Sequence, residues 1–285
     1  MKRLIPNIRR YRAALAAILC AAAGWAHAAA APSVSTLPPV PAGLASPTRI
    51  AFDTNGNVYV VDTTAGDVVL LDAFHRLLSE KRGFRKPLGI AVDTAGNIYL
   101  GEAGVGCVTV FDSQWSPLSQ LGAGPGEFQL PSYIALDPGT TPVTVYVSDS
   151  PANELKAYRG GTLVGTLGGP GSGSARFSFP AGAWVNGAGD VFAADQNHER
   201  VLVFARSGVF LRSFNLGPWN ALGSMGRPAG ITGDHAGRVY LADTFQDYVK
   251  VFDEQGALLA SISGYGAAPG QVRSPAGLAL DSQRR

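Results

Sequence analysis

Residues 87–100 read PLGIAVDTAGNIYL, and residues 228–243 repeat the pattern as PAGITGDHAGRVYLAD. Both copies begin with proline, place an acid six residues later and place a turn glycine three residues after the acid. An aromatic residue follows three positions beyond the glycine. A fixed register between such distant segments indicates an internal repeat, and this repeat decides the fold.

The same pattern extends outward from these two copies through most of the chain. Its copies start at intervals of 40 to 49 residues, at Pro47, Pro87, Pro131, Pro180, Pro228 and Pro275. The sixth residue after each proline is Asp53, Asp93, Asp137, Asn186, Asp234 or Asp281. A second acid, which we call the repeated acid, ends the next hydrophobic run as Asp62, Glu102, Asp149, Asp195 or Asp243. The chain is therefore predicted to consist of one supersecondary unit used several times.

Each unit contains four short runs with the composition of β-strands. In the second copy, residues 90–93 and 97–100 flank a turn, and residues 108–111 and 116–121 supply two further runs. Four antiparallel strands every ~40–50 residues are typical of a β-propeller blade. The sequence predicts an all-β propeller with five complete four-stranded blades and a partial sixth, because the last copy contains only its first strand.

The overall composition agrees with a protein of short strands and many turns. The 36 glycines among 285 residues are nearly twice the usual share of about 7%. Charged residues make up 15% of the chain, against about 25% in a typical soluble domain. These values argue against a helical bundle, a coiled coil or a disordered chain.

Residues 1–28 have the pattern of a secretory signal peptide. Five basic residues precede an uncharged run from Ala13 to Ala23, and the small-residue site AHA follows at 26–28. That run is too short to span a membrane, which takes about 20 residues. We expect cleavage after Ala28, a periplasmic or secreted location, and no membrane span after cleavage. Twin-arginine export and lipid anchoring through Cys20 are the alternatives.

The formal net charge of the whole chain, +2, is positive only because of this predicted leader. Residues 1–28 hold five of the 23 Lys and Arg residues and none of the 21 acids, so the rest of the chain carries −3. Since nucleic-acid binding depends on a basic surface, we expect no nucleic-acid partner.

The predicted domains after the leader are an N-terminal segment, residues 29–46, and the propeller, residues 47–285. Within the first, Ser33–Leu37 would form a strand that closes the ring by pairing near the C-terminus. A partial sixth blade leaves strand edges unpaired, and unpaired edges favour self-association.

The repeats resemble those of the NHL-repeat family of β-propellers. The resemblance covers about residues 47–281, and residues 87–100, residues 228–243 and the loop GPGEF at 124–128 carry it best. It implies an extracellular bacterial propeller, and members of the family usually close with six blades. It also points to an amidating lyase among the relatives, whose metal is held by channel histidines.

Two residues break a glycine pattern at the predicted mouth of the central channel. The second residue after the starting proline is glycine in four copies but Arg49 in the first and Tyr133 in the third. A guanidinium and a phenol at this position would grip an anionic or sugar-like ligand. The alternative is a surface role, with Arg49 paired to a neighbouring Asp. In the first strand of the fourth copy, Trp184 stands where the other copies have a small residue. We expect it either to form a binding platform or to repack the strand locally.

The loops between the second and third strands differ from blade to blade and are predicted to select the partner. They place His198, Arg200 and Tyr248 among the candidate ligand-binding residues. The repeated acids that precede these loops are expected to accept hydrogen bonds from backbone N–H groups. The alternative is that these acids together bind one metal ion.

No catalytic motif occurs in the sequence. The histidines after the leader, His75, His198 and His235, take different positions in the repeat and have no zinc-site spacing. We therefore predict a non-catalytic exported scaffold without a cofactor, which binds a protein, peptide or glycan of the cell envelope. The alternative is a lactonase-like or amidating-lyase-like enzyme that uses Ca²⁺ or Zn²⁺ at channel acids such as Asp149, Asp195 or Asp243.

Overall fold

Every complete repeat folds into four antiparallel strands in consecutive order. The protein is described here by a computed structural model, which covers residues 43–281 apart from 123, 125–126, 217–225, 263, 267 and 269–270. The predicted leader and the predicted closing strand Ser33–Leu37 lie outside the described residues.

The strand bounds follow the repeat closely. Blade 1 contains β1 (Pro47–Phe52), β2 (Val58–Asp62), β3 (Asp67–Leu71) and β4 (Leu77–Arg82). Blade 2 contains β5 (Pro87–Val92), β6 (Ile98–Glu102), β7 (Cys107–Phe111) and β8 (Pro117–Leu121). Blade 3 contains β9 (Pro131–Asp137), β10 (Thr144–Asp149), β11 (Glu154–Arg159) and β12 (Thr162–Gly168). Blade 4 contains β13 (Pro180–Val185), β14 (Val191–Asp195), β15 (Arg200–Phe204) and β16 (Phe210–Asn215). Blade 5 contains β17 (Pro228–Gly233), β18 (Arg238–Asp243), β19 (Tyr248–Asp253) and β20 (Leu258–Ile262).

The prediction of an all-β propeller with five complete blades is confirmed. The six-bladed closure typical of the resembled family is wrong for the described residues, which form five four-stranded sheets. The partial sixth blade is not confirmed, because residues 275–281 form no strand. The physical reason is that these residues have no second strand beside them among the described residues, so no ladder of hydrogen bonds can form.

Residues 275–281 nevertheless occupy the position of an inner strand. Thr244 Oγ1 donates to the carbonyl of Pro275 at 2.9 Å, as Thr63 Oγ1 donates to that of Pro87 at 2.7 Å. On the other side, a Cβ placed on Gly277 would lie 3.0 Å from the carbonyl oxygen of Thr48 in β1. The segment therefore lies between the inner strands of blades 5 and 1.

Hydrophobic side chains pack between neighbouring blades, because both faces of each sheet are covered. The interface of blades 4 and 5 is an example: Phe192 and Val201 of blade 4 pack with Ile231, Val239 and Phe252 of blade 5. All five side chains are essentially inaccessible to solvent. Burying such a side chain contributes about 1.5–3 kcal/mol, so these interfaces hold the blades in a fixed relative position.

The two ends of each blade differ in their chemistry. The loop face, as we call it, carries the loops that join the second and third strands and the residues that precede each first strand. The opposite end, the turn face, carries the turns between first and second strands, in which residues such as Asp93 accept backbone N–H groups. No helix among the described residues is long and apolar enough to cross a membrane.

Candidate functional site

The repeated acids anchor the backbone of the loop face. Asp149 accepts from the N–H of Leu130 at 2.9 Å, and Asp195 accepts from that of Ser178 at 2.7 Å. Asp243 accepts from the N–H of Arg227 at 2.9 Å. Each carboxylate thus ties the end of its second strand to the segment that enters the same blade. The prediction that these acids bind backbone N–H groups is confirmed.

In three blades a cation neutralises the repeated acid. Lys156 lies 3.2 Å from Asp149, Arg200 lies 2.9 Å from Asp195, and Lys250 lies 3.3 Å from Asp243. These pairs balance three buried negative charges, which would otherwise be costly. The loop face therefore has its acids inside and tied to the backbone.

Arg49 and Tyr133 meet near the axis of the ring. The guanidinium of Arg49 lies over the ring of Tyr133, 5.1 Å from its centroid, and donates to the carbonyl of Thr48 at 2.8 Å. The hydroxyl of Tyr133 donates to the carbonyls of Ile231 and Leu278, at 3.2 Å each. Burial lowers the pKa of Arg49 and raises that of Tyr133. The phenol thus connects blade 3 to the opposite side of the ring and is engaged by protein atoms.

Trp184 lies away from the loop face. It stands opposite Phe192 in the register of β13 and β14, and the two rings have centroids 5.1 Å apart. A Cβ on Gly233 of blade 5 would come within 2.4 Å of the indole. Trp184 therefore fills the space left by a glycine of the neighbouring blade. This arrangement corresponds to local repacking, the second of the two expectations for this residue.

An open cleft lies between blades 4 and 5 on the loop face. Its volume is about 490 Å³. Its lining among the described residues combines polar side chains with a similar share of apolar surface: His198, Glu199, Asn215, Leu216, Gly226, Gln246 and Lys250. We call it the blade 4–5 cleft.

His198 is the predicted site residue that lines this cleft. It belongs to the short 3-10 helix Gln196–His198 between β14 and β15. Its Nδ1 lies 2.7 Å from Oδ2 of Asp195, a carboxylate with no solvent exposure. That hydrogen bond orients the imidazole, while 28% of the side chain stays exposed. A ring held in this way can exchange a proton or a hydrogen bond with a ligand.

Arg200 and Tyr248 are on the loop face but do not line the cleft. The guanidinium of Arg200 donates to the carbonyls of Gly173 and Arg176, at 3.0 and 2.6 Å, so it anchors the segment before β13. Tyr248 begins β19 with 36% of its surface exposed. Its ring faces the backbone at Gly264, where an added Cβ would lie 3.5 Å from it.

Four polar residues of the cleft were missed by the sequence analysis: Glu199, Asn215, Gln246 and Lys250. For Lys250 a signal existed. It is the seventh residue after the repeated acid, where blades 1, 2 and 4 carry Val69, Thr109 and Leu202. Among the other blades, only blade 3 has a basic residue at this position, Lys156. Both lysines pair with the repeated acid of their own blade.

The described residues do not fit the metal site that the resemblance implies. They contain no group of three or more His, Cys, Asp or Glu side chains placed to hold a metal ion. His75 and His235 lie in turn-face loops, whereas His198 is on the loop face. The candidate channel acids Asp149, Asp195 and Asp243 are already engaged by backbone N–H groups and cations.

Comparisons with known proteins agree with this architecture. The chain matches no family model and no curated protein. It is similar to a solved structure of streptogramin B lyase, with a TM-score of 0.60, 13% identity, and coverage of 86% of this chain and 89% of that one.

Two further structures are similar to a comparable degree. A catalytically inactive virginiamycin B lyase from Staphylococcus aureus, solved with quinupristin, has a TM-score of 0.60 and 14% identity over 79% of this chain and 75% of that one. Hydrazine synthase of Kuenenia stuttgartiensis has a TM-score of 0.59 and 16% identity over 88% of this chain and 94% of that one. At these identities the similarity shows the propeller fold and nothing finer.

Proposed function

We propose that this chain is an exported, non-catalytic binding protein of the NHL-repeat type. It takes a protein, peptide or glycan ligand of the cell envelope on its loop face. The observation that carries the proposal is the open blade 4–5 cleft with its several polar side chains. Near the axis, by contrast, Arg49 stacks on Tyr133 and the Tyr133 hydroxyl donates to backbone carbonyls, although Nε of Arg49 is buried without a hydrogen-bond partner among the described residues.

The dimensions and lining of the cleft support a polar ligand. Its volume of about 490 Å³ falls within the range of about 300–1,000 Å³ common for ligand sites. The amides of Asn215 and Gln246 offer both donors and acceptors, and Glu199 adds a carboxylate. Such a mixture suits the alternating donors and acceptors of a peptide backbone or the hydroxyls of a sugar.

Export and family rest on the sequence. The basic, apolar and small-residue regions of residues 1–28 favour secretion, and the register of the repeats favours the NHL type. The rigid blades support this role because variable loops on a fixed scaffold are a common way to build a binding surface.

The test fills the cleft without disturbing the fold. A display library of random peptides and a glycan array would be screened on the intact protein to obtain a ligand. We expect Asn215→Trp, at an exposed wall of the cleft, to weaken that ligand at least about tenfold. The matched control Asn55→Trp, at an exposed position of the turn face, should leave the affinity unchanged. Equal effects of both variants would contradict the proposal.

A second candidate is a hydrolase or lyase, favoured by the Asp195–His198 pair at the wall of the cleft. An imidazole oriented by a buried carboxylate can serve as a general base. Two of the structural neighbours are named lyases. Under this candidate, the purified protein would consume quinupristin or a simple lactone with or without added Ca²⁺ or Zn²⁺, and His198→Asn would abolish the reaction. Absence of turnover under all these conditions would favour the binding protein.

A further inference from the structure

Blade 5 exposes three aromatic side chains at the loop face. Phe245 is 57% exposed, Tyr248 is 36% exposed and Tyr265 is 67% exposed. Phe245 belongs to the loop between β18 and β19, Tyr248 begins β19, and Tyr265 follows β20. Exposed aromatic side chains that lie together commonly mark an interaction site rather than ordinary surface.

Hydrogen bonds hold three separate segments of the chain side by side around these aromatic residues. The N–H of Ser274 donates to Asp247 at 2.6 Å, and the N–H of Thr244 donates to the carbonyl of Arg227 at 3.0 Å. The residues before β17, the loop after β18 and the segment after β20 are therefore fixed beside one another.

An arginine lies over two of the three rings. The guanidinium of Arg227 is 4.9 Å from the ring centroid of Phe245, and that of Arg273 is 5.1 Å from the ring centroid of Tyr265. Phe245, Tyr248, Tyr265, Arg227 and Arg273 form what we call the blade 5 patch. Its charged members are both cations, and two neighbouring acids are engaged by backbone: Asp243 accepts from the N–H of Arg227 and Asp247 from that of Ser274.

We propose that the blade 5 patch binds an acidic peptide segment of a protein partner, in which carboxylates flank an aromatic or large apolar side chain. This rests on the proposed binding function and names its ligand class. A guanidinium stacked on a ring keeps its N–H groups at the ring edge, where they can bind a carboxylate in bidentate geometry. The rings then receive the apolar side chain, and tyrosine and arginine are the residue types that dominate binding energy at protein interfaces.

The position of the patch fits an extended peptide that also reaches the cleft. Gln246 lines the blade 4–5 cleft and lies between Phe245 and Asp247 in the same loop. A segment anchored on the patch would therefore continue over the polar lining. A neutral glycan has no carboxylate to bind the guanidinium groups that lie over Phe245 and Tyr265.

The experiment selects 12-residue peptides from a random display library on the intact protein and measures the affinity of synthetic copies. We expect a consensus that contains acids beside an aromatic residue, with affinity that falls as salt rises. Tyr265→Ala, Phe245→Ala and Arg273→Glu should each weaken these peptides at least about tenfold. These side chains are largely exposed, and unchanged thermal unfolding would confirm that the variants fold.

The matched control is Phe74→Ala. Phe74 is 79% exposed and has Arg76 over its ring at 5.4 Å, but it lies on the turn face. This variant should bind within about twofold of wild type. A basic or charge-free consensus, or selective binding of neutral oligosaccharides, would overturn the inference. Peptides that lose affinity with Asn215→Trp but not with the patch variants would also overturn it, while the proposed function would stand.

Discussion

Tyr133 shows how one departure from the repeat can stabilise the whole ring. Four of the repeats place glycine at this position, yet the hydroxyl of Tyr133 donates to carbonyls of β17 and of the segment 275–281. Its ring also supports the guanidinium of Arg49. A single side chain therefore connects three parts of the propeller that are distant in sequence.

Replacing this hydroxyl tests that role. Tyr133→Phe should lower the free energy of unfolding by about 1–2 kcal/mol, because a buried hydrogen-bond donor is lost while its acceptors stay buried. Urea unfolding measures the change. The control is Tyr158→Phe, since the Tyr158 hydroxyl is buried without a hydrogen-bond partner among the described residues. That variant should be as stable as wild type or more stable, and equal losses in both would refute the role of Tyr133.

The carboxyl groups of Asp62 and Asp67 in blade 1 have pKa values shifted in opposite directions, so they affect folding stability differently as the pH changes. Burial alone would raise the pKa of Asp62, but N–H groups of Ala65, Ala45 and Ser46 outweigh it and hold the pKa below its ordinary value. Burial and nearby Glu80 raise the pKa of Asp67. Asp62 therefore contributes stability above its unfolded pKa of about 3.9, and this contribution disappears as the pH falls through its folded pKa.

Asn substitutions separate these two effects. Asp62→Asn should be less stable than wild type at pH 7, by about 1–3 kcal/mol, and should lose less stability than wild type on acidification. Asp67→Asn should be at least as stable as wild type at pH 7, since a carboxylate with a raised pKa is costly when ionised. Urea unfolding from pH 7 to pH 3 would decide. A steeper acid loss in Asp62→Asn would contradict the assignment.

Residue types at repeat positions were more predictable than their partners. The acids could be assigned to backbone N–H groups because each of the five complete copies places one at the same strand end. The partner of Arg49 could not be predicted, because Tyr133 is contributed by another blade. Its alternative pairing with an Asp does not occur among the described residues, since Arg49 contacts backbone carbonyls and the Tyr133 ring instead.

At the scale of elements, the inner strands of blades 4 and 5 approach their neighbours so closely that a Cβ on their repeated glycine would clash with backbone. A Cβ on Gly182 of β13 would lie 2.3 Å from the carbonyl oxygen of Ala229 in β17. A Cβ on Gly230 of β17 would lie 2.8 Å from the carbonyl oxygen of Ala276. The repeated glycine thus sets the spacing of neighbouring blades around the axis.

Alanine substitutions test that spacing. Gly182→Ala should lower the free energy of unfolding by about 1–3 kcal/mol, because the backbone of two blades must separate to admit the methyl group. Gly165→Ala in β12 is the control, since no atom lies within 4 Å of its added Cβ. It should be neutral or slightly stabilising. Equal stability of the two variants would show that the inner strands are not closely packed.

Strand positions in the five complete blades were predictable because turn residues and alternating runs recur in register, whereas the first strand expected for the sixth copy is absent from residues 275–281. The blade 4–5 cleft was not predictable in the same way. It is formed by residues from β16, β19 and three different connecting segments, and nothing local in the sequence shows that two blades leave a gap between their loops.

At the scale of the whole molecule, the segment 275–281 lies between blades 5 and 1 without forming a strand. It accepts a hydrogen bond from Thr244 of blade 5 at Pro275 and one from Tyr133 of blade 3 at Leu278. Its glycine packs on Thr48 of blade 1. The segment therefore joins the first and last blades.

Removing the segment tests this closure. A chain that ends at residue 274 should unfold at a lower denaturant concentration and self-associate, because the inner strands of blades 1 and 5 lose their neighbour. Light scattering coupled to size-exclusion chromatography would show the association. A synthetic peptide of residues 275–285 should restore both properties and a scrambled peptide should not. Unchanged stability after truncation would refute the closure.

We propose that the loop face between blades 4 and 5, and not the axis, receives the ligand. Hydrogen–deuterium exchange of the protein with and without a selected ligand is the decisive measurement. We expect protection to be concentrated in residues 196–200 and 244–248. Protection of turn-face residues such as 53–57 and 93–97, or of the residues around Arg49 and Tyr133 alone, would contradict it.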